Sequence, residues 1–218
     1  MGNKRILPAV RERGLLASLL FLILWGAAFS FQPAAAATVS GTAGLLQIPS
    51  ADALPQGRGH MALGFDAKGL WPSFSYGLLA GLEAGVTARP GGDVLPRVKY
   101  AVAPETSSAP GLAVGIEGRG VYAVLSRRLE SSGVRVHVGV GSGGPGPLFA
   151  GLEVRLRSVT VTAPDARGPA PAVSLLVDYD GRAAALGARL DFATGFTLSA
   201  GVRAGHGAIG SAAYTIQF

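Results

Sequence analysis

The sequence predicts an all-β fold, an antiparallel up-and-down transmembrane β-barrel of about twelve strands (within about ten to fourteen) behind a cleaved signal peptide. Three observations lead there. Apolar and polar residues alternate with a period of two almost to the last residue, and no stretch after residue 37 keeps a helical i, i+3, i+4, i+7 pattern for three turns. Charged residues within nearly all of these runs fall on one side of the alternation. The final run, "SAAYTIQF", carries an aromatic residue at its end and no polar tail.

Taken in order, the first element is an export signal. Lys4, Arg5, Arg11 and Arg13 form a basic start and "LLASLLFLILWGAAFSF" (15–31) an apolar core. "QPAAAA" then supplies the small residues a signal peptidase accepts, so residues 1–37 read as a signal peptide. An uncleaved anchor is the competing reading, since 17 apolar residues approach the length of a membrane span. Residues 38–59 form a lead-in, either a strap or a plug, and residues 60–218 the barrel. Removing residues 1–37 takes four of the 19 basic residues and Glu12 of the 13 acidic, leaving 15 against 12. A charge so small does not argue for nucleic acid. Cysteine is absent, which excludes disulfide frameworks and thiolate metal sites.

Expected strands are "HMALGFDAK" (60–68), "SFSYGL" (73–78), "GLEAGVTAR" (81–89), "RVKYAVA" (97–103), "GLAVGIEG" (111–118) and "VYAVLSRRL" (121–129), whose pattern leaves its register ambiguous. "GVRVHVGVG" (133–141), "LFAGLEVRL" (148–156), "AVSLLVDYD" (172–180), "AALGARLDF" (184–192), "FTLSAGVRAG" (196–205) and the terminal run follow. Turn signals such as "PGGD", "ESSG" and "GSGGPGP" separate them, and "SVTVTAPDARGPAP" (158–171) is the longest connection. Strands of about nine to eleven tilted residues cross a bilayer. A secreted, soluble β-sandwich is the alternative, yet a sandwich needs a polar outer face and here one face is almost wholly aliphatic on nearly every strand.

Energetics assign the faces. A lysine or arginine at the lipid midplane costs about 2–4 kcal/mol. Lys99, Arg135, Arg155, Arg189 and Arg203 therefore point into the lumen. Asp66, Glu83, Glu117, Glu153 and Asp191 share that face and are expected to neutralise them across neighbouring strands. Tyr214, Ile216 and Phe218 alternate on the lipid side, in the pattern of the assembly signal read by the barrel-assembly machinery.

The least generic stretch is "GTAGLLQIPSADALPQGRGHMALGF" (41–65). Gly41, Gly44, Leu45, Pro49, Ser50 and Ala51 match a "G-x-x-G-L-I-x-x-P-[ST]-A" motif, with Leu46 in place of the isoleucine. "FSYGLLAGLEAGV" (74–86) adds a Tyr-Gly-Leu…Leu-Glu-x-Gly hairpin. Over residues 41–86 the chain resembles the YjbH-like family, outer-membrane barrels encoded with exopolysaccharide production genes. Full-length members are far longer and often lipidated. The resemblance implies an outer-membrane location and polysaccharide-export partners, and it carries over no catalytic residues.

Catalytic and cofactor motifs find no support. "GVGSGG" (139–144) fits G-x-G-x-x-G, but proline and a strand follow it where a phosphate site needs a helix. His60, His137 and His206 are spaced along separate strands, so no metal site is expected. The mature chain has no asparagine and no G-x-S-x-G elbow. The expectation is a non-enzymatic outer-membrane barrel without cofactor, in contact with outer-membrane lipid and linked to exopolysaccharide export or envelope structure. A small pore for ions or solutes is the alternative.

Overall fold

The computed structural model of the chain describes residues 36–129, 132–156 and 170–218. The stretch expected to be an export signal, up to residue 35, and most of the 158–171 connection lie outside them. Twelve strands form: β1 (Arg58–Asp66), β2 (Gly69–Leu79), β3 (Leu82–Ala88), β4 (Val94–Ala103), β5 (Gly111–Glu117), β6 (Gly120–Arg128), β7 (Val134–Ser142), β8 (Leu148–Leu156), β9 (Ala172–Tyr179), β10 (Ala184–Asp191), β11 (Phe196–Arg203) and β12 (Gly207–Gln217). Each pairs antiparallel with the next, and β12 returns to β1, closing the barrel. No helix occurs among the described residues.

Closure runs from Arg58 opposite Gln217 to Phe65 opposite Gly210. The Phe218 N–H donates to the Gly57 carbonyl at 3.0 Å, so the ladder extends to the last residue. The Phe218 ring stands edge-on to Tyr76 at 5.9 Å. With an even strand number, the start of β1 and the end of β12 emerge at one end of the barrel, called the terminal end below.

Alternation produces two faces of opposite character. Leu63, Phe65, Phe74, Val98, Val114 and Val138 are among the large apolar residues left exposed on the outside. On the inside, His60, Ser75, Lys99, His137, Asp178, Thr197 and Ser199 are each 2% exposed or less. Among the described residues, Arg127 is the one charged strand residue on the outward face, and it sits at the end of β6, donating to the Thr106 and Ser107 carbonyls. The ambiguous register of 121–129 resolves the same way, with Tyr122, Val124 and Ser126 inside.

β1 and β12 begin at Arg58 and Gly207 rather than at His60 and Ser211, and β2 and β4 also start earlier than the alternation suggests. β2 pairs with β1 from Gly69 but with β3 only from Ser73. β4 pairs with β3 from Val94 but with β5 only from Arg97. Pro72 and Pro96 lie in these one-sided stretches, where a ladder has room for a residue without an N–H. Proline reads as a break in sequence, yet it marks only the loss of one neighbour.

Val138 is outward at mid-strand and about half exposed. Replacing it with arginine puts a cation on the apolar face, at about 2–4 kcal/mol in a bilayer. Val138→Arg should yield far less folded, heat-modifiable barrel in a refolding assay than Val138→Leu. Equal yields would contradict contact between this face and hydrocarbon.

Candidate functional site in the barrel lumen

The lumen is occupied by the chain itself. Ala37, Leu45, Leu46, Ile48 and Leu54 of the lead-in are each at most 1% exposed. Leu45, Leu46 and Ile48 pack with Ala113 of β5, Tyr122 and Val124 of β6, Phe149 of β8, Leu176 of β9 and Ala185 of β10. On the other side, Val39 meets Trp71 and Ile209, while Ala37 meets Ala62 and Ala213. The lead-in is therefore a plug surrounded by the wall. Ala36 and Ala37, the end of the export signal by sequence, already take part: the Gly44 N–H donates to the Ala36 carbonyl at 2.9 Å and the Ser211 hydroxyl to the Ala37 carbonyl at 2.8 Å.

Its internal shape comes from the residues of the 41–51 motif. Antiparallel bridges join Ala37 to Ala43 and Gly44 to Pro49, folding the segment back on itself twice. Gly41 has φ +86°, a left-handed turn conformation that glycine adopts without strain. A side chain on Gly44 would collide with the Ile48 carbonyl. Leu45 supplies apolar anchorage, Ser50 donates to Asp52 at 2.8 Å, and the Ala51 N–H donates to Ser126 at 2.8 Å. The wall makes room through its own glycines: a Cβ on Gly64 would strike the Val39 carbonyl, and one on Gly77 the Pro55 carbonyl.

Wall side chains saturate the plug backbone. Asp178 accepts the Leu46 N–H at 2.9 Å, the Gln47 N–H at 2.8 Å and the Gln47 side-chain amide at 2.9 Å. The Lys99 ammonium donates to the Ala43 carbonyl at 3.0 Å, with Glu83 3.9 Å away, and Glu83 accepts the Leu54 N–H at 3.1 Å. Arg189 donates to the Gly44 carbonyl at 3.3 Å and to Glu153 at 2.5 Å, and pairs with Asp191 at 3.3 Å. Thr87 donates to the Ser40 carbonyl at 2.5 Å. Arg135 grips Asp52 through both terminal nitrogens at 2.5 and 2.8 Å, and meets Glu105 at 2.7 Å. Such charge-assisted, two-pronged pairs are the strong class of hydrogen bond.

All ten charged residues expected to face inward have inward register, but the structure divides them. Glu83 and Lys99 form a neighbouring-strand pair. Arg135 stands opposite Glu153 in the ladder yet turns to Asp52 and Glu105, and Glu153 reaches past β9 to Arg189. Among the described residues only Glu83–Lys99 is an ion pair across adjacent strands, while Arg135 pairs with the plug and a loop, Arg189 with β8 and its own strand, and Arg203 with a turn. Asp66 accepts the Trp71 indole at 2.9 Å at the end away from the termini, Glu117 lies opposite Arg97, and Arg203 pairs with Asp180 at 2.8 Å. Arg155 lines a cavity of about 390 Å³ that opens beside the plug at the terminal end.

Asp178, Arg97, Arg58, Thr87, Ser126, Asp52 and Glu105 escape the sequence reading. Their inward register on β1, β3, β4, β6 and β9 was available for the wall members. Nothing in the pattern discloses that Asp52 and Glu105, outside any strand, meet Arg135. His60 contacts Thr215 at 3.1 Å, His137 contacts Ser126 at 2.8 Å and His206 lies on the turn after β11, so the imidazoles are held separately.

Burial alone would raise the Asp52 carboxyl. The hydrogen bonds and charge of Arg135, with the Ser50 hydroxyl, outweigh it and hold the group well below the usual carboxylate range. The pair therefore contributes fully above the free-carboxylate value near 4 and is lost only as pH falls through the lowered one.

Removing the Asp178 acceptor strands two plug N–H groups, each at a cost of about 1–3 kcal/mol where water is excluded. Asp178→Ala should make the 38–57 segment cleavable by added protease in detergent solution, while outward Leu186→Ala should leave it protected. Equal protection in both variants would show that this carboxylate does not retain the plug.

No protein-family model matches the chain, and comparison with curated proteins and with solved structures finds no match either.

Proposed function

We propose that this protein is a non-enzymatic outer-membrane β-barrel whose lumen is kept shut by its own N-terminal segment, and that it serves exopolysaccharide export or envelope structure. Its partners are outer-membrane lipid, the barrel-assembly machinery that inserts it, and polysaccharide-export proteins docked to it. One observation carries the proposal: a closed sheet whose outer face is aliphatic and whose inner charges Asp178, Lys99 and Arg189 hold an internal plug. An aliphatic exterior with a polar interior is the reverse of a soluble barrel and suits hydrocarbon. The closed sheet also leaves no edge for lipid to meet.

A scaffold or docking role fits this lumen better than steady conduction. Flow would require the plug to leave, exposing Asp178, Lys99 and Arg189 without the backbone partners they now have. The likeness of residues 41–86 to the YjbH-like family supports the link to polysaccharide export, since the shared motif residues shape the plug.

Purified protein reconstituted in a planar bilayer should show no steady conductance, while migrating on gels as a heat-modifiable species extracted only with detergent. Steady channels from the unmodified chain would favour the pore instead. Recovery of folded protein from an aqueous extract without detergent would overturn the membrane location altogether.

A further inference from the structure

We infer that the terminal end of the lumen is an anion-binding site, built around Arg58 and Arg155. Five arginines line the cavity of about 390 Å³ between plug and wall. Two are occupied: Arg135 by Asp52 and Glu105, and Arg189 by Glu153 and Asp191. Arg58, Arg128 and Arg155 have no side-chain hydrogen bond or ion pair among the described residues. All the acids that line the cavity are already engaged by Arg135 or Arg189.

Arg58 carries the most weight. It lies on the inward face of β1, is 7% exposed and borders the cavity. A cation so far withdrawn from bulk water with no partner is costly unless an anion completes it. The guanidinium fork matches a carboxylate or phosphate in a two-pronged way. Arg155 on β8 and Arg128 at the end of β6 add charge from the opposite wall, and the Ser50 and Thr215 hydroxyls on the same lining are suited to sugar or alcohol hydroxyls. The volume falls at the low end of small-ligand sites, about 300–1,000 Å³. The ligand is thus a compact group bearing a carboxylate or phosphate beside hydroxyls, the chemistry of an acidic saccharide unit or of a phosphorylated headgroup.

Calorimetric titration of the full chain in non-ionic detergent at low salt tests this with glucuronate, inorganic phosphate and neutral glucose as probes. Glucuronate or phosphate should bind and glucose should not. Arg58→Gln and Arg155→Gln should each weaken binding at least tenfold, and Arg127→Gln on the outer face should leave it unchanged. Tighter binding of glucuronate identifies an acidic saccharide, and binding of phosphate alone a phosphorylated group. No binding of either anion, or full binding by Arg155→Gln and Arg58→Gln, overturns the site. Heat-modifiable migration checks that each variant is folded, and Arg155, at an exposed position, provides the test should Arg58→Gln fail to fold. Insertion into a bilayer is measured separately, so loss of the site and loss of the membrane location are distinguishable outcomes.

Discussion

Everything in this lumen follows from one constraint. A peptide segment enclosed by a closed sheet finds little free ladder to join, because each strand pairs with two neighbours over most of its length. The plug satisfies some of its own groups through the Ala37–Ala43 and Gly44–Pro49 bridges. The remainder fall to wall side chains: Asp178 for the Leu46 and Gln47 N–H groups, Lys99 for the Ala43 carbonyl, Arg189 for the Gly44 carbonyl and Thr87 for the Ser40 carbonyl. Buried charge in this barrel is thus a substitute for secondary structure. Its second task, mutual neutralisation, is fitted around the first.

The same constraint shapes the apolar contacts. Leu45, Leu46 and Ile48 turn toward β5, β6, β8, β9 and β10, where Phe149, Leu176 and Val124 meet them. On the β1–β2 side the plug's backbone also approaches the wall, the Val39 carbonyl over Gly64 and the Pro55 carbonyl over Gly77. The cavity at the terminal end lies between this plug and the wall, beside Arg58 and Arg155.

The wall was largely legible in the sequence because a strand's two faces must differ when one meets hydrocarbon or bulk solvent and the other a filled interior. Val134, Val136, Val138 and Val140 against Arg135, His137 and Gly139 suffice to orient β7. Strand starts were less legible where Pro72 and Pro96 interrupt the pattern, since a one-dimensional string does not say that only one neighbour is absent. The plug was hardest. Its motif glycines look like generic turn residues, and their purpose depends on carbonyls brought near by the ring closure of distant strands. The Asp52–Arg135 pair spans 83 positions and no local period encodes it.

The charged residues of the lumen differ in what satisfies them. Lys99, Asp178 and Arg189 all have backbone or carboxylate partners. Toward the end away from the termini, Asp66 is held by Trp71 and Arg203 by Asp180, within the wall and its turns. At the terminal end plug residues from Ala36 to Pro55 line the cavity, yet three of its five arginines have no side-chain partner among the described residues. A sealed scaffold alone would need no such surplus, because Arg58, Arg128 and Arg155 neutralise nothing and hold no peptide group among the described residues. Their excess beside this cavity is therefore better explained by something that arrives from outside than by the packing of the barrel itself.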